Sequence, residues 1–430
     1  MSGVMELPRT RADSSRDAPR LLGIFAAWRL RAYGSGIAIV YAVVMVHFYR
    51  GGGWIIDGAG APIYSDFTTC WVAGIQALHG NTAALYDSAE FLKIQTALLG
   101  ARDFFYPNWP YPPTFFLFVT PFAMLPYFWA FVIWNFVTLL GCIIVVYLIV
   151  RRTPAIALML ASPFTAWNFL AGQNGFLTAS LLGASLLLLE RQPILAGVFM
   201  GCLTYKPQFG VLLPVALAAA KQWRAFASAL AAVALLVGAS IAAFGVSPWE
   251  AFPRGLLQQY GVVLLAGGQA DAAADWGRLQ TVYGLIRYLH GGGALAWAGQ
   301  GVMASGAAIM VWLVWRSPMR YALKAAILSA AVLLATPYAF TYDLAAIAIP
   351  VAFLAKDQLD WGLLKGEQTL MLALFGMTLF ALALFGDSPH RTTFGSVPLG
   401  TVVVIALLGI ISRRSFVNAW QPTTVAFAYE

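Results

Sequence analysis

The sequence predicts an all-α polytopic membrane protein, a bundle of about twelve transmembrane helices. Three observations carry that expectation. The 430 residues are 60% hydrophobic and only 10% charged, whereas a soluble domain is about 25% charged. Mean hydropathy is +0.75. The apolar residues gather in runs that approach the roughly 17–25 residues needed to cross a bilayer. Charged side chains are too few to cover a soluble surface of this size, which excludes an ordinary soluble enzyme and a disordered chain. The excess of 26 Lys and Arg over 18 Asp and Glu suggests nucleic acid until the residues are placed. They sit in short loops between apolar runs, not on one face, so no nucleic-acid partner is expected. Cys70, Cys142 and Cys202 are scattered and odd in number. That pattern gives neither a disulfide framework nor a Cys-based zinc site.

The runs fall near 34–49, 128–150, 154–170, 175–189, 193–205, 208–220, 225–244, 294–315, 321–335, 341–354, 368–385 and 397–412. Charge, Pro or Gly bounds each one. Several are shorter than a full span, so their ends must extend into loops or be shielded by neighbours. A further stretch at 114–125, between Pro112-Pro113 and Pro126, reads as a broken or re-entrant half-helix. The spans define one domain over 34–412, with a basic tail at 1–33 and a second tail at 413–430. Two long loops, about 50–113 and about 245–293, fall on one side. In the first, Phe67, Trp71, Ile75 and Leu78 recur at helical spacing behind Ser65 and Asp66 as candidate caps. A second helix starts at Asp87-Ser88-Ala89-Glu90, with Phe91, Ile94 and Leu98 on one face. Both are expected to lie amphipathically on the outer membrane surface. No repeat recurs at a fixed period.

Orientation follows from the basic loop residues. With the N-terminus inside, seventeen Lys and Arg fall inside and eight outside, and Lys324 lies within a span. The expected protein is multi-pass in the plasma (inner) membrane, both termini cytoplasmic, the long loops outside. The N-terminal stretch is not read as a cleaved signal, because no small-residue cleavage site follows its apolar run.

Under that topology four polar clusters land on the outer side. Polar groups at a membrane boundary are costly unless they serve a site or reach water. Asp66 fits either a general base for an acceptor hydroxyl or an N-cap carboxylate. Lys206, in Tyr205-Lys206-Pro207-Gln208, fits either a phosphate-binding cation or a snorkelling lysine at a helix end. Gln173-Asn174-Gly175 fits either hydrogen-bonding to sugar hydroxyls or a tight Asn-Gly turn. Tyr338, Tyr342 and Asp343 follow a helix-breaking Thr336-Pro337. Asp343 reads as a second site carboxylate or as the N-cap of the next span. The stretch from Tyr106 to Pro113 reads as a sugar-stacking platform or as part of the interfacial aromatic belt. No Asp-x-Asp pair, Walker A motif, dinucleotide-binding glycine motif or Gly-x-Ser-x-Gly is present. His47, His79, His290 and His390 show no metal-ligand spacing, so no metal site is assigned.

Four stretches resemble glycosyltransferase family 87, the polyprenyl-phosphate-mannose-dependent mannosyltransferase-like family. They run from Asp66 to Asp87 (DFTTCWVAGIQALHGNTAALYD), Tyr111 to Asn135 (beginning YPPTFFLF), Gln173 to Phe226 (beginning QNGFLTAS and including TYKPQFG) and Thr336 to Pro350 (TPYAFTYDLAAIAIP). The resemblance implies a GT-C fold with a site facing outward. It also implies a sugar donor linked to polyprenyl phosphate, and a glycolipid or glycan acceptor. The family's proposed base maps onto Asp66, and its Lys-Pro-Gln motif onto Lys206, Pro207 and Gln208. Many relatives carry histidine in the fourth stretch, where this chain has Tyr338, Phe340, Tyr342 and Asp343.

The expectation is therefore a membrane hexosyltransferase, mannose being the expected sugar, acting by a single inverting displacement. Asp66 is its base. Gln173, Asn174, Lys206, Gln208, Tyr342 and Asp343 contact sugar or phosphate, and Arg278 or Arg287 assists the leaving phosphate. No cofactor is expected beyond the lipid-linked donor, with the role of a divalent metal left open. A transporter or lipid flippase is the competing class. It predicts inverted repeats and ionisable residues deep in the spans.

Overall fold

The computed structural model describes residues 27–100, 109–260, 276–384 and 397–419. Most of the N-terminal tail, Tyr106 to Asn108, residues 261–275 of the second long loop and residues 420–430 lie outside the described residues. The chain is all-helical, with no strand among the described residues.

In chain order, α1 (Ala27–Arg50) leads into the first long loop, which holds α2 (Asp66–Leu78) and α3 (Ser88–Leu99). A 3₁₀ turn at Pro113–Phe115 opens α4 (Phe116–Ala123). Next come α5 (Tyr127–Val150), α6 (Thr153–Leu160), α7 (Pro163–Ala171), α8 (Gly175–Leu188) and α9 (Pro193–Cys202). Two 3₁₀ turns, Leu203–Tyr205 and Pro207–Phe209, lead to α10 (Leu213–Ala219) and α11 (Trp223–Phe244). The second long loop carries α12 (Ser247–Tyr260), a 3₁₀ turn at Trp276–Arg278 and α13 (Val282–Tyr288). The chain closes with α14 (Gly293–Arg316), α15 (Tyr321–Ala335), a 3₁₀ segment at Thr341–Ile347, α16 (Ala348–Trp361), α17 (Glu367–Leu384) and α18 (Leu399–Ala419).

Each of the twelve apolar runs is built around a helix, but they are not twelve equivalent crossings. Among the described residues, five helices are long and apolar enough to cross a membrane alone: α1, α5, α11, α14 and α18. The pair α6 and α7 passes only together, bent by 61° at the break before Pro163. The long helices turn apolar side chains outward, such as Ile39, Phe136, Leu235 and Val302, surface that needs lipid against it. Of the short ones, α8 and α15 are interior. Ten residues of α8 and eleven of α15 are buried. A short helix is tolerable there because its ends meet other helices rather than hydrocarbon. The half-helix expected at 114–125 is present as the 3₁₀ turn plus α4.

The first long loop is more deeply set than a surface helix pair. Helix α2 packs on α4, and Phe67, Cys70, Val72 and Ala73 are buried. Trp71 donates its indole N–H to the Leu125 carbonyl at 3.1 Å. The small residues Ala73, Gly74 and Ala77 widen the buried stripe beyond the face that periodicity marks. Asp87 caps α3, accepting from the N–H groups of Ala89 and Glu90 at 2.9 and 3.0 Å, a cap typically worth about 1 kcal/mol. The face of α3 that turns inward is Phe91, Gln95 and Leu99, one residue off the expected stripe.

Helices α9 and α11 meet backbone to backbone. A Cβ at Gly197 would stand 2.4 Å from the Ala225 carbonyl oxygen, and one at Gly201 would stand 2.5 Å from the Ala232 Cβ. This is a small-xxx-small interface, which gains its stability from dispersion across a close approach.

At the end of the bundle where α16 and α18 finish, four charges are gathered. Arg320 donates to both Asp357 carboxylate oxygens, at 2.7 and 2.8 Å. Arg414 donates to the Asp357 carboxylate, to Glu367 at 2.8 Å, and to the carbonyls of Asp357 and Gly362 at 3.1 and 2.7 Å. Arg414, Asp357 and Glu367 are buried. Arg414, counted in the sequence among the basic loop residues, is thus internal, and Arg320 is half-buried. Helix α18 also continues five residues past Arg414, beyond the boundary expected at 412.

Gly197→Leu is expected to overpack the α9–α11 contact at a cost of about 1–3 kcal/mol. A denaturation midpoint in detergent should fall. Gly238→Leu, where a Cβ meets nothing within 4 Å, should leave the midpoint in place.

Candidate active site

The site assembles at the other end of the bundle, from loops rather than from one helix. Its first member comes from α2. Ser65 is the N-cap of that helix. Its N–H donates to Thr68 Oγ1 at 2.9 Å, and the Tyr127 hydroxyl lies 3.0 Å from Thr68 Oγ1 and 3.1 Å from Ser65 Oγ. These contacts fix the start of α2 against the start of α5. They also settle the capping role on Ser65, so the Asp66 side chain is not needed as the cap. Asp66 stands in the first turn, where the helix dipole favours a carboxylate.

The second member is the turn between α7 and α8. Gly172 closes α7 with φ +64°, a left-handed conformation that glycine adopts without strain. Asn168 then clamps the turn. Its amide donates to the Gln173 carbonyl at 3.1 Å, and its carbonyl accepts from the Gly175 N–H at 2.8 Å. Gly175 is needed for close approach. A Cβ there would stand 2.2 Å from the Tyr342 carbonyl oxygen. The tight Asn-Gly turn and the polar cluster are one structure, with its positive φ at Gly172 rather than Gly175. Gln173 Oε1 accepts from the Tyr111 hydroxyl at 3.4 Å and from the Asn174 N–H at 3.2 Å. The Asn174 amide donates to the Tyr111 hydroxyl at 2.8 Å. The Gln173 side chain in turn hydrogen-bonds to Asp66.

The third member is the pair of 3₁₀ turns after α9. Lys206 sits between them, with its ammonium 2.5 Å from Asp343 Oδ1, both side chains at most 5% exposed. Three rings surround that ammonium: Tyr342 at 5.2 Å, Phe209 at 5.7 Å and Tyr111 at 5.9 Å from their centroids. Such rings offer a cation their negative faces. Asp343 Oδ2 accepts the Phe340 N–H at 3.0 Å. Lys206 is therefore neither snorkelling nor solvated, and Asp343 is a paired carboxylate that also caps its own 3₁₀ segment. Gln208 is half-buried and makes no hydrogen bond to the cluster among the described residues.

The second long loop supplies the fourth member. Leu279 bridges to Phe340, and the Gln280 N–H donates to the Ala339 carbonyl at 2.8 Å. That docking brings Arg278 close enough for its charge to act on Asp66. Arg287 goes elsewhere. It lies over the Trp276 ring at 4.8 Å and donates to the Gly291 carbonyl at 3.1 Å.

Electrostatics at Asp66 are mixed. Burial pushes its carboxyl above the ordinary carboxylate range; Arg278, the Gln173 hydrogen bond and Lys206 pull it back, and Asp343 raises it. The net direction is upward, which suits a group that must hold a proton part of the time.

Asp66, Gln173, Asn174, Lys206, Tyr342 and Asp343 thus share one cluster, with Arg278 added. Sequence reasoning passed over Asn168 and Thr178, and read Tyr111 only as part of an aromatic stretch. Tyr111 is 6% exposed and Trp109 is fully buried. Trp109 stacks on Phe116 with centroids 5.2 Å apart. The described part of that stretch is a buried aromatic core, not an open stacking platform or an interfacial belt. Thr178 reaches the Tyr205 hydroxyl at 2.6 Å. The available signal was a polar residue interrupting an apolar run. Among the described residues, no three His, Cys, Asp or Glu side chains converge as a metal site.

Lys206→Met is expected to strand a buried Asp343, costing about 3–5 kcal/mol. The double variant Lys206→Met, Asp343→Leu should recover more than half of that loss. Denaturation midpoints in one detergent measure both.

The family model that matches is that of glycosyltransferase family 87, over residues 109–337. The match spans just over half of the chain and takes in Gln173, Asn174, Lys206 and Arg278. Asp66 and Asp343 lie on either side of it. No curated protein and no solved structure matches the chain.

Proposed function

The chain belongs to glycosyltransferase family 87 and is a membrane glycosyltransferase, and from that premise we propose its donor, acceptor and mechanism. The donor is a hexose, mannose in the first instance, carried on polyprenyl phosphate. The acceptor is a hydroxyl of a glycolipid or glycan. One observation carries the reading: the Asp66 carboxylate is held by Gln173 at a helix start, within the fields of Arg278 and Lys206.

The reaction is a single displacement with inversion. The acceptor oxygen attacks the anomeric carbon as its proton passes to Asp66. The bond from that carbon to the phosphate oxygen breaks, and the electron pair leaves with polyprenyl phosphate. Arg278 meets the charge that develops on the phosphate, and Lys206 adds to the same field. Gln173 orients the base and, with Asn174, Gln208, Tyr342 and Asp343, borders the sugar. A lipid monophosphate carries less charge than a nucleotide diphosphate, in keeping with a chain that has no Asp-x-Asp pair.

The uneven distribution of basic loop residues supports a plasma-membrane orientation with both termini cytoplasmic. The tails at 1–33 and 413–430 then face the cytoplasm, and the site opens outward to lipid-linked substrates. A flippase would place ionisable residues deep in its spans. Here the polar cluster gathers at the helix ends.

Transfer from a polyprenyl-phosphate sugar by purified protein tests the base. Asp66→Asn should lower turnover by about 10²–10⁴-fold, with donor KM little changed. Near wild-type turnover removes Asp66 from the mechanism. A base works only when deprotonated, so the rate should fall as pH drops through the Asp66 pKa. Because burial raises that pKa, the acid limb of the pH–rate profile should sit above the free-aspartate value of about 3.9. A profile flat down to that value would contradict the assignment.

A further inference from the structure

Far from the candidate site, α17 and α18 leave an open groove between them. Leu370, Leu374 and Met377 line one wall, Gly409 and Ile410 the other, and Arg413 stands at its end. Its volume is about 340 Å³, within the range of small-ligand clefts, about 300–1,000 Å³. The walls are apolar, which suits hydrocarbon. The mouth is different. Arg413 is exposed and donates to the Lys365 carbonyl at 3.0 Å, which holds it against the turn that carries the exposed Lys365.

Among the described residues, neither Arg413 nor Lys365 takes part in an ion pair. Asp357 and Glu367 are neutralised by Arg320 and Arg414. Asp360 pairs with Lys356 at 3.0 Å. An apolar slot lined at one end by Arg413, with the exposed Lys365 on the adjoining turn, is complementary to one kind of molecule: an acyl chain bearing an anionic headgroup. The geometry points to the α17–α18 groove as a binding site for an anionic glycerophospholipid, its chain along Leu374 and Gly409 and its phosphate at Arg413 and Lys365. The groove lies at the end of the bundle opposite Asp66, so this lipid is a resident one and not a sugar donor.

Native mass spectrometry of the full chain in detergent tests it, with palmitoyl-oleoyl phosphatidylglycerol and the matching phosphatidylcholine as probes. The protein should bind phosphatidylglycerol more tightly. The double variant Arg413→Gln, Lys365→Gln should bind it about 30-fold more weakly, from about fivefold per cation, and lose the preference. Gly409→Phe offers an independent check. A Cβ there meets nothing within 4 Å, so the ring can enter the groove without displacing a neighbour. It should weaken binding of both lipids. Equal affinity of the two lipids for the wild-type chain, or unchanged binding in Gly409→Phe, overturns the proposal. So does a dimer that Gly409→Phe dissociates while lipid binding persists, which would give the groove to a second copy.

Discussion

The buried pair of Lys206 and Asp343 is the contact on which the site end of the bundle depends. It joins the turns after α9 to the 3₁₀ segment before α16, two parts of the chain 137 residues apart. Neither charge is stable alone in a low-dielectric interior, so the two segments are obliged to stay together. Tyr342 is carried next to Lys206 by the same segment. The Tyr342 carbonyl in turn presses on Gly175, the first residue of α8. A single ion pair thereby sets the spacing between the α7–α8 turn, the Lys206 turns and the 3₁₀ segment.

Around that pair, polar satisfaction is relayed rather than local. Asp66 receives Gln173, Gln173 receives Tyr111, and Tyr111 receives Asn174. Each group has its orientation fixed by the next. A chain of this kind keeps a carboxylate in a defined place without a metal-like cage of ligands. One acceptor is left over: Asn174 Oδ1 is buried and has no donor among the described residues. Buried acceptors of that sort carry a desolvation cost of about 1–3 kcal/mol.

Much of this was legible in the sequence. The apolar runs marked the helices because a lipid-facing or interior helix must be apolar over most of its length. The polar residues of the site stood out because they interrupt such runs at their ends. Crossing number was less legible. Length alone cannot tell a helix that faces lipid from one wrapped by neighbours, and α8 and α15 are of the second kind. Pairing was not legible at all. Nothing local tells Lys206 that its partner is Asp343, or Arg414 that its partners are Asp357 and Glu367, because those contacts are set by tertiary packing. Burial was misjudged for α2 and for Trp109 and Tyr111, where small residues and prolines let neighbours come closer than periodicity suggests.

The charge cluster of Arg320, Asp357, Glu367 and Arg414 has a mechanical consequence. It fastens the ends of α15, α16, α17 and α18 to one another at the side remote from Asp66. Helices fastened at one end alone could separate by pivoting there, the displacement growing with distance from the pivot. The Lys206–Asp343 pair removes that freedom for α16, because it ties the segment that opens α16 to the turns after α9. Helix α16 is thus clamped by buried charge near both of its ends, and it acts as a fixed strut between them.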